Sequence, residues 1–156
     1  MELNYFLDSS NYKKITITGN HYGDNYPNPY KSLITVTREY FSFSVTEGKG
    51  SDLPRSFTID GSDYNKNYVA KFLILCNALK HTIIDYNDQY ESSDFNEGEF
   101  VIHITFENGE ELNYKFKAVL NDVADDLAAA LRYFAPDNEL PYGYKMDDYY
   151  DDLDEE

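Results

Sequence analysis

Seven side-chain carboxylates fall within the last ten residues, Asp147 to Glu156, interleaved with Tyr149, Tyr150 and Leu153. Extended, ten residues span roughly 33 Å, about one charge per 5 Å. Wound as a helix they span about 15 Å, or one charge per ~2 Å. Duplex DNA carries one negative charge per ~1.7 Å of axis and a single strand one per ~3.4 Å. The run is therefore nucleic-acid-like in charge density whichever form it takes. Tyrosine beside carboxylate adds flat, amphipathic anchors of the kind a basic protein groove holds. The candidate partner-binding residues are Tyr142, Tyr144, Asp147, Asp148, Tyr149, Tyr150, Asp151, Asp152, Asp154, Glu155 and Glu156. A charge run of this type is more often a solvated tail than a site.

A second acidic stretch, with Asp85, Asp88, Glu91 and Asp94 as secondary candidates, continues to Glu97 and Glu99. Its spacing misses the alternating Asp pattern of a calcium loop, and no glycine stands at the sixth place to make the sharp turn. The histidines, His21, His81 and His103, show no metal-ligand spacing such as i and i+4 on one helix, and they read as scattered surface residues. Cys76, the single cysteine, sits in an apolar helical stripe and reads as a buried structural thiol. Gly48-Lys49-Gly50-Ser51 lacks the spacing and context of a phosphate loop. Nothing marks a pair of carboxylates for acid–base work, and tryptophan, a frequent sugar platform, is absent. The sequence thus assigns no catalytic residue, no metal and no cofactor.

The whole chain of 156 residues has 29 acidic and 13 basic side chains, a net charge of −16. Such a field repels nucleic acid and anionic membranes and attracts basic proteins or cations. The charge is uneven. Residues 137–156 hold nine acids and one base, Lys145, and so carry −8, half of the total in about an eighth of the chain. One cysteine allows no internal disulfide and points to a reducing, cytoplasmic setting. The opening Met-Glu-Leu-Asn-Tyr reads as no secretory leader, and no apolar run is long enough to span a membrane.

The elements that would carry these residues are legible from periodicity. Phe100, Ile102, Ile104 and Phe106 alternate, as do Leu112, Tyr114 and Phe116 beyond Asn108-Gly109, so 99–116 reads as a β-hairpin with one apolar face. A two-residue turn would pair Phe106 with Glu111 and mix the faces. A three-residue loop of Glu107, Asn108 and Gly109, with Gly109 left-handed, closes on Phe106 and Glu110 and sets Ile104 opposite Leu112. Similar parity applies upstream. Ile34 and Val36 are even, whereas Phe41, Phe43 and Val45 are odd, so the chain turns near Arg38-Glu39 between strands 32–37 and 40–46. Strands are also expected at Lys13–Thr18 and Arg55–Ile59. Glu2–Asp8 is ambiguous, a short strand or a loop packing Leu3, Phe6 and Leu7, and Gly19–Tyr30 reads as a long turn-rich loop.

Two helices follow from 3.6-residue stripes. Tyr64–Lys80 is expected to bury Val69, Phe72, Leu73, Cys76 and Leu79, and Asp122–Phe134 to bury Val123, Leu127, Leu131 and Phe134. His81–Asp85 extends the first helix or forms a strand, and Tyr86–Glu99 reads as an acidic loop. Sixteen tyrosines exceed what these stripes use, so many are expected at the surface. The fold class is α+β: an antiparallel sheet of about five or six strands with two helices on one face, in the order β-β-β-β-α-β-β-α. One domain is expected over 1–136, followed by an acidic tyrosine-rich tail over 137–156.

In size and charge the chain resembles the small acidic inhibitors that bacteria and phages aim at nucleases: DNA-mimicking anti-restriction or anti-CRISPR proteins and toxin immunity proteins. No motif carries the likeness. It implies a non-enzymatic protein that inhibits a basic nucleic-acid-handling partner, and no direct contact with nucleic acid or membrane. The alternatives are a cation-binding or enzymatic domain with its site near the 85–99 loop, or a structural accessory protein whose acidity serves only solubility.

Overall fold

The alternating hairpin sequence becomes the seam of a larger sheet. In the computed structural model, which describes residues 2–21, 29–50, 53–63, 66–85, 98–117 and 122–134, six strands form one antiparallel sheet. They are β1 (Tyr12–His21), β2 (Tyr30–Thr37), β3 (Tyr40–Gly48), β4 (Phe57–Asp60), β5 (Gly98–Phe106) and β6 (Glu111–Lys117). Across the sheet the order is β4-β3-β2-β1-β5-β6. The first four strands form a meander. The chain then crosses by a helix, α2 (Lys66–Asp85), and β5 joins the other side of β1.

Parity dictates the packing. Ile59, Phe41, Val36, Ile15, Ile104 and Leu112 pair in turn across all six strands, and so do Phe57, Phe43, Ile34, Ile17, Ile102 and Tyr114. These two apolar rows lie on the covered face, where Ile15, Ile17, Ile34, Val36, Phe41, Ile102 and Ile104 are wholly buried. Burying one such side chain contributes about 1.5–3 kcal/mol. The hairpin takes the bulged register: Phe106 N–H donates to Glu110 O at 2.9 Å, Gly109 N–H to Phe106 O at 3.0 Å, and Gly109 sits at φ +89°. The β2–β3 turn falls at Arg38-Glu39, where Thr37 Oγ1 accepts from the N–H groups of Glu39 (3.1 Å) and Tyr40 (3.2 Å).

Helices α2 and α3 (Asp122–Phe134) close the covered face. The ring of Phe134 stacks on Phe41 at 4.7 Å and meets Tyr68 edge-on at 5.4 Å. Leu127, Leu131 and Phe134 are buried, as their spacing predicts; the side chain of Val123 lies outside the described ones. On α2 the buried stripe is rotated from the expected one. Tyr68, Phe72, Leu75, Cys76, Leu79 and Thr82 face inward, while Val69 and Leu73 are 45% and 36% exposed. The helix is apolar on more than one side, so spacing alone admits two stripes. Tyr68 settles the choice by donating its hydroxyl to Thr37 O at 2.8 Å.

Other departures are local. Leu3–Leu7 is a short helix, α1, neither strand nor simple loop; it buries Phe6 and leaves Leu3 and Leu7 exposed. β1 runs on through Gly19, Asn20 and His21 and β2 starts at Tyr30, so both ends of the stretch expected as loop are strand, and residues 22–28 between them lie outside the described ones. His81–Asp85 belongs to α2. The expected domain boundary at 136 lies outside the described residues.

Candidate functional site

Charge location is the first property to place. The candidates from Tyr142 to Glu156 lie outside the described residues, as do Asp88, Glu91 and Asp94; Asp85 ends α2. The described residues hold 14 acidic and 12 basic side chains, net −2, against 15 and one in the remainder, net −14. The described residues are therefore almost neutral taken together. Two of their cations tie elements together. Arg38 lies 5.0 Å over the Phe72 ring and donates to Ser9 O (3.4 Å) and Ser10 O (3.3 Å). Lys80 Nζ donates to Leu7 O (2.7 Å) and Ser9 Oγ (2.9 Å), tying α1 to α2.

The face of the sheet opposite the helices is polar and locally balanced. Thr58, Ser42, Thr35, Thr16, His103 and Asn113 align in one row across the six strands. Two ion pairs lie on this face, Lys31–Glu47 at 3.3 Å and Lys115–Glu99 at 3.7 Å, and His103 Nε2 is 3.1 Å from Glu111 Oε1. His103 Nδ1 is also 2.6 Å from Asn113 Oδ1. The hydroxyl row was within reach of the sequence, because Thr and Ser alternate with apolar residues in β1, β2 and β3. It presents neutral donors and acceptors and no nucleophile activated by a base.

Comparison with protein families, with curated proteins and with solved structures finds no match. The chemistry must therefore be judged from the side chains themselves.

His21 is the main departure from the sequence reading. Rather than a surface loop residue, it is wholly buried at the end of β1, stacked on Tyr30 at 4.4 Å and edge-on to Phe100 at 5.4 Å. Its Nε2 shares a 2.6 Å hydrogen bond with Ser32 Oγ. Burial pushes the imidazole down to about 4, so the ring is neutral at pH 7. A Ser–His contact is the start of a nucleophilic site. Here Ser32 is itself 0% exposed, so no substrate carbonyl reaches its oxygen, and the pair is structural. His81 is exposed on α2 and His103 half-buried on the open face. Cys76 is buried, with its thiol pushed up to about 12 by desolvation, so it is a packing residue.

Among the described residues no three His, Cys, Asp or Glu side chains converge on a common point. Among them, too, no helix is long and apolar enough to cross a membrane. Of the seven described tyrosines, Tyr12, Tyr30 and Tyr68 are buried, so the core takes more of them than its stripes suggested. The other nine of the 16 lie outside the described residues, beside most of the unbalanced acid.

Proposed function

We propose that this chain is a non-enzymatic acidic protein that binds and inhibits a basic, nucleic-acid-handling protein, with residues 137–156 as the contacting segment. The observation that carries this reading is the concentration of charge along the sequence: residues 137–156 carry −8, half of the net charge in about an eighth of the chain. Acidity that served only solubility would have no reason to gather at one end of the chain. The mechanism is steering by a concentrated negative field, followed by seating of tyrosine rings among the partner's cations. Tyr142, Tyr144, Tyr149 and Tyr150 are the anchors; Asp147, Asp148, Asp151, Asp152, Asp154, Glu155 and Glu156 stand in for phosphates. A cytoplasmic nuclease is the partner class this chemistry fits.

The test is inhibition of a panel of basic nucleases by the full chain. Inhibition is expected for at least one, with affinity falling steeply as salt rises from 50 to 300 mM (about tenfold or more). Replacing Asp148, Asp151, Asp152 and Asp154 together by Asn should weaken it about 10–100-fold, on the basis of ~0.3–0.7 kcal/mol per partly screened charge. A variant that inhibits as well as the parent, with no salt dependence, would reject the proposal.

A further inference from the structure

β6 stands at the edge of the sheet, and among the described residues nothing pairs with its outer side. It is seven residues long with neither proline nor glycine, whereas β4 at the opposite edge has only four residues. An edge of this length is a template for another strand unless something blunts it. The hairpin bond from Phe106 N–H to Glu110 O fixes which backbone groups point outward. In an antiparallel ladder the bonded pairs recur at every second residue, so Leu112 and Tyr114 bond inward to Ile104 and Ile102. Glu111, Asn113 and Lys115 therefore turn their N–H and C=O groups away from the sheet.

From this we infer that two copies of the chain pair β6 to β6, antiparallel, about a two-fold axis at Asn113. The side chains fit that operation. Glu111 and Lys115 flank Asn113 symmetrically with opposite charge, so the axis sets each Glu111 opposite the second copy's Lys115. A parallel arrangement would oppose like charges. Both side chains are well exposed, at 60% and 68%. On the other face the axis sets Leu112 opposite the second copy's Tyr114, and both are only partly buried within one chain. Apolar and charged residues thus each meet their own kind of partner on the correct face. A self-complementary patch about a two-fold axis is the commonest way a homodimer forms. The pairing involves none of residues 137–156 and does not depend on the proposed inhibition.

Light scattering behind size exclusion on the full chain tests it. The parent is expected at twice the 18.1 kDa chain mass. Glu111→Lys and Lys115→Glu are each expected at the single-chain mass, because each opposes like charges twice. Mixed in equal amounts, the two variants restore both attractive pairs and should return to the double mass as a one-to-one heterodimer. Any of three results would overturn the inference: a parent that stays monomeric at 0.5 mM, single variants that remain dimeric, or a mixture that does not associate. Recovery in the mixture separates a lost contact from a misfolded variant.

Discussion

His21 shows how a side chain with a polar head can belong to a core. Its ring lies between Tyr30 and Phe100, and Ser32 Oγ satisfies Nε2. The neutral ring fits there and the imidazolium does not, which lowers its titration from 6.5 to about 4. The unfolded chain takes up this proton near pH 6.5 and the folded chain only near pH 4. Stability from this group is therefore complete above 6.5, declines as pH falls toward 4 and is flat below. The loss is at most about 3.5 kcal/mol, at ~1.4 kcal/mol per pH unit of separation. Carboxylates titrate in part of the same window, so the measurement is a difference. Melting the parent and His21→Gln between pH 7 and 4 should show the steeper decline in the parent, since Gln keeps a polar head without a titrating one. Equal slopes would mean that the ring takes up its proton as readily in the folded chain as in the unfolded one. Nothing in the sequence marked this residue as buried. Gly19, Asn20 and His21 read as loop because Gly and Asn favour turns, and only their pairing with Lys31, Ser32 and Tyr30, and with Gly98, Glu99 and Phe100, makes them strand.

At the scale of elements, legibility followed how far local pattern alone decides geometry. The hairpin register was readable because a period of two punishes a one-residue slip on every side chain. Gly109 is the residue that permits it. At φ +89° a β-carbon is strained, although nothing lies within 4 Å of where it would sit. Gly109→Ala should therefore cost only backbone strain, about 1–2 kcal/mol, and lower the melting midpoint by a few degrees. Asn, which tolerates left-handed backbone, should cost less. An Ala variant as stable as the parent would show that the loop relaxes to another turn. α2 marks the opposite case. Its two sides are both apolar, so the stripe that faces the sheet depends on Tyr68 reaching Thr37 O and on α3 packing alongside, neither of which sequence spacing contains. α1 was illegible for a similar reason. A five-residue helix has too little periodicity to be seen, and it is held from outside by Lys80 and by Tyr5, whose hydroxyl accepts from Asn108 N–H at 3.0 Å.

For the whole molecule, what matters is where the charge is placed, and a count cannot reveal that. The acidic segment dense enough to imitate a polynucleotide lies outside the described residues, and along the sequence it holds half of the net charge. Two accounts of the acidity then make different predictions at equal net charge. Changing Asp148, Asp151, Asp152 and Asp154 to Asn takes the chain from −16 to −12, and so does changing Glu2, Glu39, Glu107 and Glu110 to Gln. The four glutamates are exposed, so their replacement should leave the melting midpoint nearly unchanged, with each surface change within about ±0.5 kcal/mol. If acidity serves solubility alone, the two variants should precipitate alike and bind alike. If the concentrated segment is the working surface, the glutamine variant should inhibit the nuclease as the parent does, and the asparagine variant should lose about 10–100-fold, ~0.3–0.7 kcal/mol per charge. Association rates sharpen the comparison. A local field steers encounter over about one Debye length, ~8 Å at physiological salt, so only charges close to the contacting segment contribute much to it. The on-rate should therefore fall in the asparagine variant and hold in the other, and an equal fall in both would assign the effect to net charge alone.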